Sequence, residues 1–164
     1  ENIFFIKKNV LLKILEKNNL INSFEIKKIY PDTIEVKIKK TEFLGITNID
    51  GKFLIIGSNG KLIDNKNTKK NLPYVFGKVN PDNFIKFIKI IEKNKFDLDT
   101  VKEFYFFPSG RWDLKTKDNK LFKLPSENLE LKLNLIYNIL KNEELNNIKI
   151  IDLRFSDKII FTNE

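Results

Sequence analysis

Gly110-Arg111-Trp112-Asp113-Leu114, Lys117-Asp118-Asn119-Lys120 and Leu121-Phe122-Lys123-Leu124-Pro125 follow one another, and their order decides the fold. Trp112 and Leu114 fall on one side of an alternating strand, and Arg111 and Asp113 fall on the other. The polar tetrad 117–120 turns the chain back, and Leu121 to Pro125 reads as the returning strand of a hairpin. A helix-like segment then opens at Ser126. Leu129, Leu133, Ile136 and Leu140 share a helical face, although Leu129, Leu131, Leu133 and Leu135 also alternate like a strand. Ser126 as N-cap, Glu127 and Glu130 in the first turn and a length near 20 residues favour a helix over 126–147. Ile150-Ile151-Asp152-Leu153-Arg154-Phe155 follows as a further strand.

Upstream of that stretch, Val10, Leu11, Ile14 and Leu15 recur at helical spacing over 8–18, and Asn18-Asn19 ends the helix. Ser23 to Tyr30 begins a strand, Pro31-Asp32 turns it, and Thr33 to Ile38 alternates with period two. Ile34, Val36 and Ile38 form an apolar face that the preceding helix is expected to cover. From Phe43 the strands shorten into a meander: 43–48, the Asp50-Gly51 turn, 52–56, the Ser58-Asn59-Gly60 turn and 61–63. Asp64 to Asn71 reads as a mobile polar loop. Asn80 caps and Pro81 starts a helix with Phe84, Phe87, Ile88 and Ile91 in one stripe. Phe104-Tyr105-Phe106-Phe107 is a fully apolar strand. The six glycines are read as turn residues.

Composition narrows the chemistry. The 164 residues are 41% hydrophobic with 15 Phe, ample for a buried core. The net charge is +8, but only two of the 30 basic residues are Arg, and Lys is spread along the whole chain. That pattern suits a solvated surface in a Lys/Asn/Ile-rich sequence better than a nucleic-acid reader, which favours Arg for base contacts. With no cysteine, disulfides and thiolate metal sites are excluded, and with no histidine the commonest metal ligand and general base is missing. Asp97, Asp99, Glu103 and Asp113 have neither a phosphate loop nor ligand spacing beside them, so they read as solvated charges. The chain reads as a non-enzyme without a cofactor. No run approaches the roughly 20 apolar residues of a membrane helix.

Two arrangements of charge repeat. Arg111/Asp113 and Asp152/Arg154 each stand at i, i+2 on a strand, and cross-strand pairing between the two motifs is expected to add about 0.2–1 kcal/mol per pair. Trp112 reads as core, with Asp113 and Arg111 as a surface ion pair. Asp113, Asp152 and Arg154 are assigned structural roles, while Arg111 is set as a polar contact to an acidic partner side chain. The chain closes on a turn at Ser156-Asp157 and the apolar segment Ile159-Ile160-Phe161-Thr162. That segment is either an inner strand or an exposed edge.

Strand, turn, strand ending in Leu-Pro, helix, Ile-Asp-Leu-Arg: this order resembles the C-terminal half of the bacterial division family FtsQ, called DivIB in Gram-positives. Leu72-Pro73-Tyr74-Val75-Phe76-Gly77 is similar to that family's Leu-Pro-x-x-x-Gly step. The first helix, Tyr30-Pro31-Asp32-Thr33 and the strands around it resemble the second half of a POTRA domain. Lys40-Thr41-Glu42-Phe43 stands where that module usually has a Glu-Arg-x-Pro-like exit. The resemblance implies an α+β fold: a truncated POTRA module (helix plus β-hairpin) over 1–40, then a mixed β-domain with two or three helices over 41–164. It implies a divisome scaffold that binds the FtsB–FtsL pair outside the cytoplasmic membrane and helps control septal peptidoglycan synthesis. The resemblance extends the expected partners to the septal wall-synthesis enzymes, and nucleic acid is not expected among them.

The family pairs a β-segment of FtsB with the strand after Ile-Asp-Leu-Arg. Carried over, this assigns the partner edge to Phe155, Asp157, Lys158, Ile159, Ile160, Phe161 and Thr162. Asp157-Lys158 replaces a frequent Ser-Gly turn, and Asn163 stands where the family often has Trp. A chain that opens at Glu1 without Met reads as a piece of a longer protein. The resemblance implies a cytoplasmic tail and a single inner-membrane span upstream, with this region in the periplasm and enriched at the septum. The rival is a POTRA-containing outer-membrane protein assembly factor, which predicts several POTRA repeats. The second half of this chain does not repeat the first.

Overall fold

The computed structural model describes residues 8–65, 71–94, 96–141 and 147–163. Helix α1 (Lys8–Lys17) leads into strands β1 (Ile21–Ile29) and β2 (Thr33–Lys40), which pair antiparallel as a sheet of their own. Nine more strands form the second sheet: β3 (Phe43–Ile49), β4 (Lys52–Gly57), β5 (Leu62–Asp64), β6 (Tyr74–Phe76), β7 (Val101–Phe106), β8 (Trp112–Thr116), β9 (Leu121–Lys123), β10 (Ile150–Asp152) and β11 (Ile160–Thr162). Helices α2 (Pro81–Lys93) and α3 (Leu129–Lys141) complete an α+β fold. Across the sheet the order is β11-β10-β9-β8-β7-β6-β3-β4-β5.

Helix placement follows from that order. The β6–β7 and β9–β10 pairs are parallel, and each is bridged by a helix. Both crossovers step in the same direction along the sheet, so a right-handed connection puts α2 and α3 on one face. Registered neighbours Val75, Phe104, Leu114, Phe122 and Ile151 run across five strands, and all are buried in one cluster with Phe84, Phe87, Leu133 and Ile136 of the helices. Trp112 lies in that cluster at 6% exposure, with its ring stacked on Phe87 at 4.5 Å. Asn80 caps α2 through its side-chain oxygen, which accepts from the Asp82 N–H at 2.9 Å, and Pro81 opens the helix. Lys93 of α2 reaches Glu130 of α3 at 3.2 Å.

Several expectations change. Helix α3 starts at Leu129, not at Ser126, because Asn128 takes a left-handed φ of 54° that helical backbone cannot continue. Glu127 therefore lies ahead of the first turn. The closing end of the expected helix, residues 142–146, lies outside the described residues, as do 1–7 and the centre of the polar loop, 66–70. Not every glycine sits in a turn: Gly45 is inside β3, where a Cβ would come within 2.8 Å of Val75 Cγ2 and 3.3 Å of Phe84. Absence of a side chain there lets α2 approach the sheet. Helix α1 does not cover the first hairpin as expected: Ile38 is 49% exposed and Ile14 62%. With ten residues and, among its described side chains, Leu15 alone buried, α1 is too small to shield both strands.

Candidate partner-binding edge

The two ends of the nine-stranded sheet are finished differently. At the β5 end the chain supplies its own partner groups. Asn19 Nδ2 donates to the Leu62 carbonyl at 2.9 Å, and Lys61 Nζ donates to the Glu16 carbonyl at 2.5 Å. Asn59 Nδ2 donates to the carbonyls of Asn19 and Ile21 at 3.0 and 2.9 Å. The far end is β11, which carries neither the lysine nor the proline that blunts many exposed edges.

Backbone polarity at β11 follows from its neighbours. Leu121 N–H donates to the Lys149 carbonyl at 2.7 Å, and Leu153 N–H donates to the Lys123 carbonyl at 2.9 Å, which fixes one side of β10 on β9. The Lys149 N–H donates to the Thr162 carbonyl at 3.1 Å, so Thr162 turns its bonding groups toward β10. Successive residues of a strand turn theirs to opposite sides. Ile160 therefore bonds inward with Thr162, and the N–H and C=O of Phe161 point away from the sheet. Side chains alternate as well. Phe161 registers with Ile151 and continues the buried row onto the helix-bearing face, where it is 42% exposed. Ile160 and Thr162 lie on the opposite face, and Ile159 packs half-buried against the core.

The loop into β11 carries the other sequence-assigned residues. Phe155, Asp157 and Lys158 are exposed, with Lys158 Nζ 4.9 Å from the centre of the Phe155 ring. A cleft of about 370 Å³ opens beside this loop, lined in part by Arg111, Arg154, Lys132 and Phe155. Lys132, on α3, donates to the carbonyls of Phe155 at 2.8 Å and Ser156 at 3.5 Å. Sequence reading passed over Lys132. Its one signal was a lysine beside the Leu129/Leu133/Ile136 stripe, which also fits an ordinary solvated position.

Both Arg–Asp motifs close on themselves instead of on each other. Strand β9 lies between β8 and β10, so Asp113 and Asp152 register with Lys123 from its two sides. The expected cross-strand pairing is therefore not made. Arg154 grips Asp152 through Nε at 2.8 and 3.0 Å and Nη2 at 2.5 Å. Those bonds hold the Asp152 carboxyl below the usual aspartate range and raise the Arg154 guanidinium. Asp113 is not a surface residue: it is 4% exposed, and its Oδ1 accepts from the Leu124 N–H at 3.3 Å. Burial pushes its carboxyl up, against the nearby Arg111. Arg111 Nε is 3.2 Å from Asp113 Oδ1 yet out of line for a hydrogen bond, while Nη2 reaches Oδ2 at 3.4 Å. Its guanidinium carbon also sits 4.1 Å over the Phe107 ring.

An α+β domain with helices on one sheet face and a bare strand at one edge belongs to a class suited to accepting a further strand. The family model "Cell division protein FtsQ/DivIB, C-terminal" matches residues 45–154, more than half of the chain. The chain belongs to the FtsQ/DivIB family of cell-division proteins. It is 26% identical to cell division protein FtsQ of Rhizobium radiobacter over 84% of this chain and 68% of that protein. To cell division protein DivIB of Staphylococcus aureus it is 41% identical, over 40% of this chain and 15% of that protein. The major extracytoplasmic domain of DivIB from Geobacillus stearothermophilus aligns with a TM-score of 0.40 and 16% identity, over 58% of this chain and 87% of that domain, a likeness too slight for any conclusion. Among the described residues no helix is long and apolar enough to cross a membrane.

Proposed function

We propose that this chain is the extracytoplasmic part of an FtsQ-like divisome scaffold whose β11 edge accepts a β-segment from an FtsB-like partner. Residues 1–40 are a partial POTRA module and 41–164 the FtsQ-type β-domain. The edge comprises Phe155, Asp157, Lys158, Ile159, Ile160, Phe161 and Thr162. The FtsB–FtsL pair docks there outside the cytoplasmic membrane, and the scaffold thereby helps control septal peptidoglycan synthesis, with the septal wall-synthesis enzymes in the same assembly. A single inner-membrane span ahead of this region holds it in the periplasm at the septum.

One observation carries the reading: the Phe161 backbone turns outward at the bare end of a sheet whose other end the chain ties down itself. Main-chain bonds to an added strand give affinity, and alternate side chains give specificity. Phe161 offers an apolar contact on the helix face, and Ile160 one on the opposite face. Arg111, which lines the cleft beside the loop into β11, meets an acidic side chain of the partner. Membership of the cell-division family, together with a second half that builds a nine-stranded sheet instead of another helix–hairpin unit, favours this over the outer-membrane assembly factor. Deleting residues 159–164 tests the reading. Loss of the FtsB-like partner with the remaining sheet still folded is expected, and undiminished affinity would place the edge elsewhere.

A further inference from the structure

We infer that Lys132 is a positioning residue for the β11 edge: its ammonium group holds the loop after β10 so that the last strand is ordered before a partner arrives. The inference rests on the proposed use of β11 as a strand acceptor. Strand β11 has only three residues and one bonded side. Three residues paired on one side form a weak element, prone to local opening. Its approach begins with a bend at Phe155 to Asp157. Among the described residues, no side chain but that of Lys132 donates to the carbonyls of Phe155 and Ser156.

Helix α3 is a firm support for this tie. Leu133 and Ile136, which both follow Lys132 along the helix, are fully buried against the sheet. Lys132 projects from the flank of that buried stripe, and three donors on one ammonium allow it to hold two carbonyls together. Phe155 and Ser156 lie in the bend that reverses the chain into β11. Fixing their carbonyls fixes the direction in which Ile159 enters, and Ile159 then packs half-buried against the core. An edge ordered in advance spares the partner the entropy of ordering it on contact. A lysine that only solubilised α3 would have no effect on the exchange of β11 amides.

Hydrogen exchange separates these roles without a partner. In Lys132→Met the amides of Ile160 and Thr162 should exchange roughly tenfold faster, while those of Phe104, Leu114 and Phe122 and the melting temperature stay unchanged. Lys132→Arg, which can still donate to both carbonyls, should restore slow exchange. Lys132→Gln provides the comparison if the Met variant folds poorly. Unchanged exchange at Ile160 and Thr162 in a folded Met or Gln variant would overturn the inference. A second arm measures affinity for the soluble part of the FtsB-like protein from the same cell. The expected result is a drop of about tenfold, which is about 1.4 kcal/mol, rescued by Arg. If the unaltered chain does not bind that fragment, the functional reading fails, and the exchange arm still decides the role of Lys132.

Discussion

The two edges of the nine-stranded sheet are both three-residue strands, yet one is closed by the chain and the other is left open. At β5, Asn19, Asn59 and Lys61 tie the strand and its turn to the end of α1 and the start of β1. At β11 the outward backbone groups are those of Phe161, next to an equally exposed Ile160 side chain, and no element among the described residues pairs with them. An edge that a protein only needs to protect is covered, twisted away or charged. Contrast between two ends of one sheet therefore speaks more clearly than exposure of either end alone. It also separates stability from binding, because changes at the closed edge should cost stability and changes at the open edge should cost partner.

Both edges hang on the same core, so the largest effect falls on both. Trp112→Ala should lose roughly 3–5 kcal/mol of stability, because the ring is buried against Phe84, Phe87 and Phe106. Chemical denaturation would read it, and a loss below about 1 kcal/mol would mean the site can refill.

At the closed edge, Asn59→Ala removes the two hydrogen bonds its Nδ2 donates to the carbonyls of Asn19 and Ile21 and the one its Oδ1 accepts from the Lys61 N–H. A loss of about 1.5–4.5 kcal/mol is expected for the three bonds at about 0.5–1.5 kcal/mol each, together with faster amide exchange in β5. Partner affinity at β11 should not move. If it fell with Asn59→Ala, the two ends would be coupled and the contrast between them would fail.

In the strands leading to the open edge, Asp152 of β10 and Asp113 of β8 should respond to pH with opposite sign. Arg154 lowers the Asp152 pKa in the folded state, so its stabilisation is present above the ordinary value of 3.8 and lost as pH falls through the lowered one. Asp152→Asn should cost about 1 kcal/mol at neutral pH, a figure reduced for the exposure of Arg154, and the gap should close in acid. Burial raises the Asp113 pKa, so its contribution is present below 3.8 and lost as pH rises through the raised value. Against Asp113→Asn, the natural chain should lose ground as pH rises. Acid and neutral denaturation midpoints of both variants check the signs.

Much of this contrast was legible in the residues. Alternation and turn chemistry placed the β8–β9 hairpin, Asn80-Pro81 placed the start of α2, and the apolar run at 159–162 placed the last strand. What escaped was non-local. Strand β10 returns through α3 to lie parallel to β9, which inserts Lys123 between the two Arg–Asp motifs and buries Asp113 beside the Leu124 amide. No local pattern encodes which strand a crossover will choose. In the first hairpin the alternation was read correctly, but the covering of its apolar face depends on how much helix is present, and α1 is short. The left-handed turn at Asn128 overrode a good capping residue at Ser126. Lys132 was invisible because its partners are main-chain carbonyls, 23 and 24 residues away.

The smallest effect on stability should accompany the largest effect on binding, at one residue. Proline cannot donate to a ladder, and the Phe161 N–H faces away from β10 while the Ile160 N–H faces it. Affinity for an FtsB-like fragment and melting temperature should be measured together on Phe161→Pro and Ile160→Pro. Phe161→Pro should keep its melting temperature and lose the partner, and Ile160→Pro should melt earlier because it breaks an internal bond. Undiminished affinity in Phe161→Pro would contradict β11 as the partner edge.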